Sequence, residues 1–325
     1  MNRVAYTRMP DRHPLSLPLV VAILAAILFI GPLSACGGDE SERVDPSGSP
    51  ATLTVLTTAT FLADIAQNVA GERATVRSLV ARDADPHAYE ATPGDLAAVA
   101  RADLFILNGE GLEGTLENTL RSAAEKTTFV IASQGLTPRT PQADEPAHGP
   151  DPHYWLDPTL VIAYVENLRD AFTQADPAGA AVYRANAAAY TAELHKLDRW
   201  IEAQVRTLSP SERVLVMNHI SHGYYADRYG FHIVGAIIPG VSAEDTPTAQ
   251  QLAALSAAIS REHVRALFVE SGENPGLAKQ IARETGARVV DDLRDHTLSE
   301  PGQGAATYIE MMKYDTRRIV TALGR

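Results

Sequence analysis

Residues 177–208 carry a single uninterrupted helical stripe. Tyr183, Tyr190, Leu194, Leu197, Ile201 and Leu208 follow one another at steps of 7, 4, 3, 4 and 7, so they fall on one face of a helix. About 30 residues of helix extend about 45 Å. That length crosses a whole protein rather than one lobe.

Strand–helix alternation stands on both sides of the stripe. Upstream, residues 52–58, 74–80, 104–108 and 128–131 read as strands, with helices at 61–70, from 92 onward, at 112–126 and at 159–174. Thr92-Pro93-Gly94-Asp95 is a helix start: Thr as cap, Pro at the first helical position, a carboxylate in the first turn. Downstream, residues 213–217, 232–236, 266–269 and 288–290 read as strands, with helices ending at 229 and spanning 248–262, 275–285 and 305–323. Residues 137–152 hold five prolines and read as a loop. The pattern predicts an α/β fold. Two lobes with mostly parallel sheets, residues 52–176 and 210–325, are joined by one long rigid helix, residues 177–209.

The first 35 residues read as an address rather than as structure. Arg3, Arg8 and Arg12 make a basic start, and residues 17–30 are an apolar run too short to span a bilayer comfortably. Leu33-Ser34-Ala35-Cys36 resembles a lipoprotein signal-peptidase box. Cys36 is the only cysteine, which excludes an intrachain disulfide. It is predicted to carry a lipid and become the new N-terminus, with residues 36–51 as a Gly-, Ser- and Pro-rich tether. The protein is then anchored to a membrane outside the cytoplasm, at the cell surface or in the periplasm, and does not span it. Beyond residue 35 the chain has 25 basic and 39 acidic residues, a net of −14. That balance argues against nucleic acid or an anionic surface as partner.

In open α/β sheets, ligands sit outside the carboxyl ends of the strands. His87, His219 and Glu270 each fall just there. His153 lies in Asp151-Pro152-His153-Tyr154-Trp155-Leu156-Asp157-Pro158, braced by two prolines and flanked by carboxylates and aromatics. The three histidines are 66 residues apart in each interval, so only folding could bring them to one metal ion. A single histidine is most often a surface or hydrogen-bonded residue, and pattern alone leaves both readings open.

From residue 52 to its end the chain resembles the zinc/manganese solute-binding lipoproteins of bacterial ABC importers, the ZnuA/TroA group. The resemblance is carried by residues 86–96 (PHAYEATPGDL), 108–113 (NGEGLE) and 151–158 (DPHYWLDP). Asn218-His219 with Gly223-Tyr224, Tyr229-Gly230, Phe268-Val269-Glu270 and residues 308–312 (YIEMM) add to it. It implies a metal site in the cleft between the lobes, with His87, His153 and His219 as ligands. It departs at the fourth ligand. The family's usual Asp lies about 12 residues before the Tyr that matches Tyr308, and counting back lands on His296, with Asp295 beside it. The fourth donor is therefore His296 or, after a one-residue slip, Asp295.

Other histidines are assigned lesser parts. His222 is expected near the pocket without contacting metal. His148 is a weak candidate for passing metal inward, and His195, His232 and His263 are read as structural. Glu270 is expected to be a buried, paired carboxylate beside the site.

Three or four imidazoles suit Zn²⁺, whereas Mn²⁺ prefers carboxylate and water oxygens. Zinc is therefore expected, with manganese second. The resemblance implies a monomeric carrier handing its ion to an ABC permease with its ATPase; an adhesin role, reported for some relatives, could coexist. The competing reading is a zinc hydrolase. Catalytic zinc keeps an open position, and no His-Glu-x-x-His segment is present.

Overall fold

The computed structural model describes residues 52–82, 84–141, 150–241 and 246–324. The expected signal peptide, Cys36, the tether and His148 lie outside the described residues.

Two parallel four-stranded sheets form the frame. The first contains β1 (Leu53–Thr57), β2 (Ala74–Ser78), β3 (Leu104–Leu107) and β4 (Thr128–Ile131), in the order β2-β1-β3-β4. The second contains β5 (Val214–Met217), β6 (His232–Ala236), β7 (Ala266–Glu270) and β8 (Arg288–Leu293), in the order β6-β5-β7-β8. Both sheets repeat one winding, so each has a switch point between its first and third strands, where a ligand-binding crevice opens. Strands buried on both faces are expected to read as apolar runs, and β3 (LFIL) is buried throughout.

The helices are α1 (Thr60–Ala70), α2 (Pro93–Val99), α3 (Thr115–Ala123), α4 (Val161–Ala175), α5 (Ala180–Val205), α6 (Gly223–Tyr229), α7 (Ala249–Arg261), α8 (Gly276–Thr285) and α9 (Tyr308–Leu323). The start expected at Thr92 is real. Its hydroxyl accepts from the Asp95 N–H while Asp95 caps the Thr92 N–H in return.

The long stripe is α5, 26 residues preceded by a 3₁₀ turn at Pro177–Gly179. At 1.5 Å per residue it is about 39 Å long. Tyr183, Tyr190, Leu194, Leu197 and Ile201 are all buried. This face packs on α1 and α4 of the first lobe and on α9 and α6 of the second.

The two lobes share their main core. One continuous apolar cluster includes Val55, Ile65 and Phe172 from the first lobe, Leu194 and Ile201 from α5, and Met217, Phe268 and Ile319 from the second. Each sheet turns its other face to a private cluster: Phe105 and Leu120 in the first lobe, Leu267 and Ile259 in the second. Residues 51–325 accordingly form one compact unit.

Candidate metal centre

Four histidines meet between the lobes. His87, His153, His219 and His296 each offer a ring nitrogen, and the four nitrogens lie within 4.8 Å of one another. Nε2 of His153 is 3.4 Å from Nε2 of His87 and 3.3 Å from Nε2 of His296. His153 and His219 are fully buried, His296 is 7% exposed, and His87 is only partly buried.

Each ligand-bearing loop is held in a different way. His87 follows Pro86, and its backbone N–H is fixed by the Asp85 carboxylate at 2.8 Å. His153 begins the 3₁₀ turn Tyr154–Leu156. Asp151 accepts both its backbone N–H, at 3.0 Å, and its Nδ1–H, at 2.8 Å. The preceding carbonyl, Pro152, accepts from Asn108 at the end of β3. His219 sits two residues beyond β5, at the switch point, with Nδ1 3.1 Å from a Glu270 oxygen at the end of β7. That pair lacks the angle of a hydrogen bond.

His296 lies in the loop after β8, and that loop is stitched to the first lobe. Trp155 Nε1 donates to the Asp295 carbonyl, Thr60 accepts from Leu298 N–H, and Arg82 donates to the Ser299 carbonyl. Trp155 itself stacks on Phe61 with ring centres 4.3 Å apart, and its carbonyl accepts from Tyr308. That loop is thus pinned by residues of the opposite lobe.

Both candidates for the fourth donor lie at the cluster. His296 points Nε2 into the cluster. Asp295 stands behind it, one oxygen 2.8 Å from His296 Nδ1. The rings of His153, His219 and His296 therefore each have a carboxylate at Nδ1: Asp151, Glu270 and Asp295. A carboxylate hydrogen-bonded there, as Asp151 is to His153, fixes the tautomer and leaves Nε2 to face the cluster.

Electrostatics divide the cluster. Burial, reinforced by the neighbouring imidazoles, holds His87 and His153 well below the ordinary imidazole value. Burial likewise pushes His219 down to about 4. In His296 burial acts in the same direction, but the Asp295 charge and hydrogen bond outweigh it and the ring ends at about 9. At neutral pH three rings are neutral and the fourth holds a proton against Asp295. Glu270 is pushed well above the carboxylate range by burial and by Asp295.

Among the described residues, the remaining histidines stay out of the cluster. His222 is buried at the start of α6, with Nδ1 2.8 Å from the Ser221 hydroxyl. His195 and His232 lie exposed on their elements. His263 is not within an element but at a left-handed turn, φ 52°, after α7.

Sequence reasoning missed Arg139. Its guanidinium reaches Asp227 on α6 at 2.8 Å and lies 3.8 Å from Asp151, the partner of His153. Gly223 makes room for it, since a Cβ there would meet the guanidinium at 2.5 Å and Asp151 at 2.7 Å. Tyr224 adds a second tie, donating to the Asp151 carbonyl at 2.8 Å. The only hint was a lone arginine in a proline-rich loop.

Residues 55–322 match the family described as zinc-uptake complex component A, periplasmic (ZnuA). The manganese-binding lipoprotein MntA of Halalkalibacterium halodurans is 31% identical over 311 residues, covering 94% of this chain and 97% of that one. The iron-binding protein YfeA of Yersinia pestis is 32% identical over 305 residues, covering 94% and 96%. Among solved structures, the periplasmic zinc-binding protein TroA of Treponema pallidum superposes with a TM-score of 0.78 at 25% identity, over 85% of this chain and 100% of that one.

Proposed function

Since this chain belongs to the ZnuA family of periplasmic metal-uptake components, we propose that it captures Zn²⁺ through the Nε2 atoms of His87, His153, His219 and His296. At the coarser level it is a metal-binding substrate-binding protein of an ABC transporter, acting outside the cytoplasmic membrane. Zinc here is cargo. A permease and its ATPase are the partners that receive it, and a lipid on Cys36 keeps the monomeric carrier beside them.

One observation carries the choice of metal. A tetrahedron of Zn–N bonds of about 2.05 Å has edges of about 3.35 Å. Two of the six separations among the four nitrogens are 3.4 and 3.3 Å, close to that edge, and all six are within 4.8 Å. Four neutral nitrogen donors with no carboxylate among them suit zinc better than manganese. With all four positions occupied by protein, no open position remains for a substrate or a catalytic water, which argues against a hydrolase.

Manganese is the second reading, because a 31%-identical relative carries that metal in its name. Metal analysis of protein purified without added metal, followed by Zn²⁺/Mn²⁺ competition, tests the choice. Zinc should co-purify and resist an excess of manganese. Displacement of zinc by an equal concentration of manganese would overturn the reading.

A further inference from the structure

Beside the four-imidazole cluster lies a small cavity lined by Asp85 from the first lobe and by Glu270, Glu273, Asp295 and His296 from the second. Its lining carries four carboxylates against one cation, Arg294, and two of the carboxylates are deeply buried: Glu270 is 2% exposed and Asp295 fully buried. One oxygen of each faces a histidine Nδ1. All four of their carboxylate oxygens lack a hydrogen-bond partner among the described residues. An oxygen of Glu270, an oxygen of Asp295 and a nitrogen of His219 lie within 4.8 Å of one another.

Two carboxylates this close and this buried cannot both stay charged without a proton or a cation between them. A divalent ion can take the proton's place. It would find oxygen donors, and the partly exposed Asp85 and Glu273 also line the cavity.

We propose that this cavity is an outer cation site, distinct from the four-imidazole site, that takes a partly hydrated divalent ion on Glu270, Asp295 and Glu273. Its oxygen donors suit a hard cation such as Mn²⁺ or Ca²⁺. An ion held there stands next to His296, at the edge of the inner site, and the acidic rim raises the local cation concentration. The outer site is weaker than the inner one, because its ion faces a second dication close by. It rests on the inner site being the zinc site proposed above.

The test loads the full chain with one equivalent of Zn²⁺ and titrates Mn²⁺, following free Mn²⁺ by electron paramagnetic resonance and bound zinc by metal analysis. One additional Mn²⁺ per chain, with zinc retained, is expected. Glu273→Gln should weaken that Mn²⁺ at least tenfold and change Zn²⁺ affinity less than twofold. Absence of bound Mn²⁺ up to millimolar concentration overturns the outer site, as does Mn²⁺ binding that Glu273→Gln leaves unchanged. Loss of zinc without a second bound ion overturns it too. Zinc retention is read separately in every case, so the zinc assignment stands or falls on its own measurement.

Discussion

The carboxylate of Asp295 sits 2.8 Å from Nδ1 of its own chain neighbour, His296. Two consecutive loop residues thus supply both an imidazole for the cluster and the group that charges it. Four ordinary imidazoles would finish losing their protons near pH 6.5. This pairing moves the last proton to about 9.

The first consequence is a pH dependence. In the metal-free protein His296 is protonated below its raised value of about 9, and a metal at Nε2 must displace that proton. Zinc affinity should rise about tenfold per pH unit from 7 towards 9 and level off above that. About one proton should be released per zinc ion at pH 7.5, measurable by calorimetry in buffers of different ionisation enthalpy. Zero release would mean that the apo His296 ring is already neutral.

Substitutions at the pair should have unequal effects. His296→Ala removes a donor and should lower zinc affinity at least a hundredfold. Asp295→Ala removes only the group that orients and charges that donor, for which a loss of about 10–100-fold is usual, and it should flatten the pH dependence between 7 and 9. Zinc titrations of both variants decide; a larger loss with Asp295→Ala would exchange the two roles.

His153→Ala should abolish high-affinity zinc binding while the protein remains folded. The loop is held independently by the Asn108–Pro152 bond and by the stacked Trp155. Circular dichroism should match the parent, with the melting temperature lowered by a few degrees. A variant that binds zinc normally places the site elsewhere.

Zinc should also be visible through Trp155, whose ring centre is 5.1 Å from that of His153 and 6.1 Å from that of His296. Intrinsic fluorescence should change on binding. Trp155→Phe should erase the response and Trp200→Phe should keep it, since Trp200 packs against Lys313 and Arg317 away from the cluster. A response that survives Trp155→Phe would contradict this placement.

Much of the frame was legible because it is periodic. The α5 stripe names its own buried face, and the apolar runs name the strands. Where the structure differs, local chemistry hides the period. Helix α3 begins at Thr115 rather than Leu112, because Gly111 and Gly114 adopt φ of 84° and 50° and turn the chain around a buried Leu112. Strand β8 continues through Asp291 and Asp292 to Leu293. Two acidic residues look like a strand's end, but Asp292 is partnered by Tyr314 and Arg318 across the face.

Three histidines stood out from their motifs and strand ends. Which of Asp295 and His296 faces the cluster was not legible, since adjacent loop residues obey no period. Arg139 was hidden because its partners, Asp151 and Asp227, become neighbours only when the lobes meet.

The core that both lobes share with α5 governs how this carrier can be emptied. Val55, Leu194, Met217 and Phe268 belong to one apolar body. Swinging the lobes apart would split it and expose surface at about 25 cal/mol per Å². The protein is therefore a clamp with fixed jaws and movable fingertips. Whatever unloads it meets the partly buried His87 loop before the His296 loop, which the first lobe pins, and the rest of the molecule is left poised for the next ion.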